Sequence, residues 1–252
     1  MTTFMDKWGM DKWGMDKWGM DKWGAPRRKT QQTVECATRH PPETVGEMIA
    51  NVATHGAGAV MSAVGLAVLV MLTVSAGATP VTMISMIIYG ATLVLLYSAS
   101  TLYHAVRGPR AREICRLMDH GAIFLLIAGT YTPFTLVGLG GQAGWVLFVV
   151  IWSIAISGIL MRVMLRTRGA GFFVPLYLAM GWLMVIAAGD LTATVQHGMI
   201  WLAAGGVFYT AGLIFFAWRR LPYNHAVWHL FVLGGSACHF VAIAAYVLPV
   251  GT

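Results

Sequence analysis

Seven apolar runs of roughly 20 residues each constrain this chain more than any other feature. They lie near 48–74, 81–104, 119–139, 144–165, 171–189, 198–218 and 225–249. At 1.5 Å rise per residue, a helix of that length crosses the ~30 Å hydrocarbon layer of a bilayer. Strands do not fit, because no dyad alternation is visible and unpaired strand edges do not survive in lipid. Turn residues mark the breaks: Ala78-Thr79-Pro80, Gly108-Pro109, Gly140-Gly141, Arg168-Gly169, Gly189-Asp190 and Leu221-Pro222. The expected fold is an all-α membrane protein, a seven-transmembrane helix bundle over residues 47–252. Composition agrees: only 11% of residues are charged, against about 25% in a soluble domain.

The basic residues predict which way the bundle faces. All 17 Lys and Arg fall in the leader or after runs two, four and six, and the alternate breaks and the C-terminus hold none. The positive-inside rule then places the N-terminus in the cytoplasm and the C-terminus outside. Trp145 and Trp201 open runs four and six at the expected outer interface, and Trp218 closes run six at the inner one. The chain is expected to be a multi-pass protein of the plasma (inner) membrane. Its arginine clusters would anchor to anionic lipid at the cytoplasmic face, and no nucleic-acid partner is expected.

Residues 1–46 stand apart as a cytoplasmic leader. Residues 5–24 are four copies of Met-Asp-Lys-Trp-Gly, a tag-like period that fits no solenoid repeat. A basic linker follows, with Arg27, Arg28, Lys29 and Arg39. The leader is read as disordered and carries no expected chemistry. Cys36, Cys115 and Cys238 are scattered, so neither a disulfide framework nor a thiolate zinc site is indicated.

The predicted topology brings polar residues from four runs to one leaflet. Run two ends in Ser100 and His104, run three begins with Asp119-His120, and run seven begins with His225 and His229. Run one begins with Glu47, Asn51 and His55, spaced by four and so on one helical stripe. His225 and His229 lie one turn apart, close enough for one ion to touch both. Ionisable groups at membrane depth are costly and usually functional, and three imidazoles plus a water is the donor set of a catalytic zinc site. His104, His225 and His229 are therefore the candidate ligands for Zn2+. Asp119 is the candidate proton acceptor near the water, with Ser100 able to hydrogen-bond the site from one turn before His104. The His-x-x-x-His pair lacks the internal Glu of a soluble zincin.

Other polar residues have plainer readings. Glu47, Asn51 and His55 can form a structural hydrogen-bond network between helices. His239 shares a helix face with His225 and can line the same cavity. His40, His120 and His197 read as interfacial or hydrogen-bonded residues. Pro133 is expected to kink run three, with neighbouring threonine hydroxyls satisfying the freed carbonyl.

These motifs together resemble the bacterial haemolysin III family, the prokaryotic branch of the progestin and adiponectin receptor superfamily. The resemblance rests on Ser100-x-x-x-His104, on Asp119 followed by Ala122 through Phe134, and on Asn224-His225-Ala226-Val227-Trp228-His229. Gly234-Gly235-Ser236-Ala237-Cys238-His239-Phe240 adds to it. It covers about residues 44–249. It implies a seven-helix bundle with zinc near the cytoplasmic leaflet, held by histidines matching His104, His225 and His229, with an aspartate matching Asp119 beside the zinc-bound water. The adiponectin receptors are similar to ceramidases and are proposed to hydrolyse lipid amides. Bacterial members are named for haemolysis and linked to membrane energy homeostasis.

Three functional readings follow. One is a zinc-dependent hydrolase of a lipid amide or ester, with membrane lipid as substrate. Another is a receptor-like, cytolytic or homeostasis protein in which zinc only ties helices together. The third is a proton or cation pathway along Glu47, His55, His239 and Asp119.

Overall fold

The computed structural model describes residues 43–165, 170–184 and 193–251. The Met-Asp-Lys-Trp-Gly repeats, the basic linker, Arg166, Arg168 and the Gly189-Asp190 break lie outside the described residues. Within the described residues all regular structure is helical, with no strand. The elements are α1 (Val45–Ser75), α2 (Pro80–Ala105), α3 (Pro109–Pro133), α4 (Gly141–Met164), α5 (Val174–Trp182), α6 (Ala193–Ala217) and α7 (Asn224–Ala242). Among the described residues, six helices are long and apolar enough to cross a membrane. Run five is described to Met184, and a 3₁₀ turn, Ala170–Phe172, leads into the nine-residue α5; residues 185–189 of that run lie outside the described residues.

The outer surface is apolar. Val60, Met61, Val64, Ile84, Leu160, Ile200 and Ile214 are all exposed. Continuous exposed apolar surface of this kind marks contact with lipid, and this chain is a multi-pass integral membrane protein. The interior holds Tyr89, Tyr97, Phe124, Phe134 and Met86, each almost fully buried. Hydroxyls in the spans are satisfied locally, as lipid requires. Ser62, Thr73, Ser85 and Thr130 each donate to the carbonyl four residues back, at 2.6 to 2.8 Å.

Two predicted boundaries differ in instructive ways. Run three was expected from 119, but α3 begins at Pro109. Gly108 is extended and Pro109 occupies the first turn, where a missing N–H costs nothing and the fixed φ suits the helix. Arg110, Arg112 and Arg116 thus ride on a helical extension and are not in a loop. At the other end, Pro133 passes α3 into a wider π turn over Phe134–Leu139. Thr132 donates to the Ala128 carbonyl at 2.9 Å and Thr135 to that of Tyr131 at 3.0 Å. Gly140 ends this segment at φ +65°, a conformation glycine adopts without strain. Helix α7 likewise continues through a π turn, Ile243–Val247, and a short 3₁₀ segment, Leu248–Gly251.

A candidate metal centre

The site is assembled at the arginine-bearing end of the bundle by α1, α2, α3 and α7. The last turn of α2 carries Ser100 and His104, which are 2% and 5% exposed. Helix α7 enters the site abruptly, because Tyr223 takes a left-handed conformation (φ 57°) directly before Asn224. This places His225 and His229 in its first two turns.

The donor nitrogens of His104, His225 and His229 all lie within 4.8 Å of one another. Their rings are 4.6 to 5.2 Å apart and steeply inclined, by 56°, 71° and 72°. A tetrahedral ion with zinc–nitrogen distances of about 2.1 Å needs its donors about 3.4 Å apart, roughly 1.4 Å closer than the widest separation here. Side-chain rotation can supply that. The trio therefore fits a divalent metal ion with a preference for imidazole.

His55 is also buried and near, but its geometry differs. Its ring stacks on His229 at 3.4 Å with planes only 16° apart. An ion in the plane of the His229 ring would then lie about 3.4 Å out of the plane of His55, too far to accept its lone pair. His55 does not join the trio.

His225 and His229 border a cavity of about 200 Å³, walled at this end also by Ser100 and Asp119. The rest of its wall is mainly apolar, including Leu96, Ile123, Ile127, Leu202 and Phe216. The Ser100 hydroxyl hydrogen-bonds the Asp119 carboxylate, which also faces His104 electrostatically.

The remaining sequence candidates are distributed differently. Glu47 accepts from the Tyr223 N–H at 3.3 Å. Asn51 is buried, and His55 lines the cavity. His239 borders the same cavity but is not in the trio, and its Nε2 donates to the Leu202 carbonyl at 3.2 Å. His197 is exposed on α6.

Sequence reasoning missed several residues. Thr54 Oγ1 lies 3.0 Å from His229 Nδ1; a threonine in an apolar helix gives no warning of this. Arg162, counted as a lipid anchor, is instead 1% exposed. Its Nε and Nη2 lie 3.0 and 2.8 Å from His120 Nδ1, and its guanidinium sits 5.1 Å from the centre of the Phe173 ring. Tyr177 donates to the His120 carbonyl at 3.0 Å, so His120 takes the hydrogen-bonded one of the two roles expected of it. The signal available was that Arg162 falls within run four and not in the break after it. A further network joins Tyr97 and Tyr209 through Ser236 Oγ, each at 2.8 Å.

Comparison with known proteins now bears on this geometry. The family model described as Haemolysin-III related matches residues 45–240, a span containing every residue of the site. The chain belongs to the haemolysin III family. It is 44% identical to Hemolysin-3 of Bacillus cereus over 206 residues, covering 81% of this chain and 94% of that one. It is 40% identical to the Hemolysin-3 homolog of Bacillus subtilis (strain 168) over 208 residues, covering 82% and 97%. Similarity extends to the human monocyte to macrophage differentiation factor, 31% identical over 166 residues, covering 63% and 68%. The repeat-bearing leader lies outside the family match.

Proposed function

We propose that this haemolysin III protein is a zinc-dependent hydrolase of a lipid amide or ester. In this reading the N-terminus is cytoplasmic, the C-terminus is outside, and the site lies near the cytoplasmic leaflet of the plasma membrane. The observation that carries the proposal is the three-histidine cluster beside a mainly apolar cavity that also holds a carboxylate.

His104, His225 and His229 would hold the ion. When bound, zinc supplies Lewis acidity that polarises a carbonyl and acidifies water. The chain supplies the rest. Asp119 accepts the proton of the attacking water and passes it to the leaving nitrogen or oxygen. Ser100 holds the Asp119 carboxylate in place through their hydrogen bond. The apolar wall takes the lipid chain and excludes bulk water from the carbonyl.

The test is metal content of the purified protein together with turnover of a lipid-amide and lipid-ester panel. Wild type should carry about one zinc and hydrolyse a member of the panel. Asp119→Asn should keep the zinc and lose the turnover, and His225→Ala should lose both. Absence of zinc in wild type would overturn the proposal, as would bound zinc with no turnover across the panel.

The names of the two Bacillus relatives favour a second reading, a membrane-lytic protein in which the metal is structural. Lysis of erythrocytes or vesicles that is lost in His225→Ala but retained in Asp119→Asn would select it.

A further inference from the structure

Helix α1 supplies no ligand to the metal centre, yet three of its residues bear on α7 at the site. Glu47 accepts from the Tyr223 N–H just before α7 begins. The His55 ring lies flat on His229 at 3.4 Å. Thr54, one residue earlier, meets the edge of the same ring, with Oγ1 3.0 Å from Nδ1.

The direction of that last bond follows from the acceptors around Thr54. Its hydroxyl lies 2.8 Å from the Ala50 carbonyl and 3.1 Å from the Asn51 carbonyl. Carbonyls only accept, so the single hydroxyl proton is committed to them. The hydroxyl oxygen is then left to accept, and Nδ1 of His229 must carry the proton. A neutral imidazole protonated at Nδ1 has its lone pair on Nε2 alone. The Asn51 carbonyl is also within hydrogen-bonding reach of this ring, an acceptor that favours the same tautomer. His229 itself is 1% exposed.

We infer that Thr54, with His55 stacked on the ring face, positions His229 by accepting its Nδ1–H, so that Nε2 is the nitrogen presented to the metal. Thr54 is a positioning residue acting through a ligand. The inference rests on the metal reading of the three-histidine cluster and identifies α1 as the element that sets its affinity. Partners of this kind, which orient a ligating histidine through its other nitrogen, typically change metal affinity by about 10- to 100-fold when removed.

The experiment is a zinc titration of the full-length protein in detergent, in competition with a fluorescent chelator. Four proteins are compared: wild type, Thr54→Val, Thr54→Ser and Thr73→Val. Thr73 is buried on the same helix and donates only to its own helix, to the Leu69 carbonyl at 2.6 Å, so it reports the generic effect of losing such a hydroxyl. Thr54→Val should bind zinc about 10- to 100-fold more weakly than wild type. Thr54→Ser, which keeps the acceptor, should stay within about threefold, and Thr73→Val should match wild type. Wild-type affinity in Thr54→Val overturns the inference alone, as does a Thr54→Ser variant as weak as Thr54→Val. A wild-type protein that binds no zinc overturns the metal reading, and this inference with it.

Discussion

Gly56 and Gly58 sit two residues apart on α1, and the packing assigns them opposite responses to alanine. A Cβ at Gly58 would lie 2.6 Å from Tyr97 Cδ1 and 2.9 Å from Leu233 Cδ2. Carbon atoms rest about 3.5–4.0 Å apart, so roughly 1 Å of overlap must be relieved. Leu233 can rotate away. Tyr97 cannot: it is 1% exposed, its hydroxyl is bonded to Ser236 Oγ at 2.8 Å, and its edge packs on His55. At Gly56 the nearest atom to such a Cβ is Thr101 Cγ2 at 3.8 Å, an ordinary contact.

Both substitutions gain the same helix propensity, about 1 kcal/mol. The difference between the two variants therefore isolates the overpacking term, about 1–3 kcal/mol. At about 2–4 °C per kcal/mol for a domain of this size, Gly58→Ala should melt about 2–12 °C below Gly56→Ala. The measurement is thermal unfolding in micelles followed by tryptophan fluorescence. Relief of the overlap moves α1 off Tyr97 of α2, and His55, which lies edge-on to Tyr97 and stacked on His229, moves with it. Gly58→Ala should accordingly bind zinc more weakly than Gly56→Ala. Coincident melting of the two variants, or a higher midpoint for Gly58→Ala, would refute the close approach of α1 to α2.

Other perturbations test separate parts of the structure. Zinc at about 100 times its Kd should stabilise the wild type by about 2.7 kcal/mol, and the His225→Ala/His229→Ala double variant should show no zinc-dependent rise in Tm. Arg162→Leu removes both donors from His120 Nδ1 and should cost about 1–3 kcal/mol in the same melt, the range for stranding a buried acceptor. Tyr97→Phe, which loses a hydroxyl shared between Ser236 Oγ and the Val232 carbonyl of α7, should cost about 0.6 kcal/mol and no more than about 1.7. These magnitudes rank Arg162 above Tyr97, and the reverse order would show that the Arg162 contact is not formed in the membrane protein.

The runs of apolar residues carried the helices because lipid admits few other folds, and they placed α2 and α4 to within a few residues. The trio His104, His225 and His229 was legible for a related reason. A polar residue in an apolar run is conspicuous, and alternation of helix direction assigns each to one end of the bundle. The start of α3 was not legible, because the arginines of Pro109–Met118 have no apolar periodicity and only Gly108-Pro109 hinted at a helix start. Thr54 was invisible for the opposite reason. In a transmembrane helix a threonine normally bonds its own backbone, and Thr54 does that as well as touching His229. Arg162 was misread because counting charges by side assigns an arginine to a leaflet without asking which way its side chain turns. The parallel stack of His55 on His229 is a property of two packed helices and has no counterpart in spacing.

The coupling between α1 and the metal has a thermodynamic corollary. If the contacts of Thr54 and His55 raise affinity at His229 by some factor, bound metal must favour the docking of α1 by the same factor. The two ligand-bearing helices, α2 and α7, lie far apart in sequence, and α1 packs against both at the level of Thr54, His55 and Gly58. An ion held by His104, His225 and His229 would close one side of this three-helix junction, and Tyr97, bonded from α2 to α7 and edge-on to His55, closes the other. Metal affinity is then a measure of how well the first helix is seated. Any influence that displaces α1, such as a bulky residue at Gly58, should be read out at the three histidines.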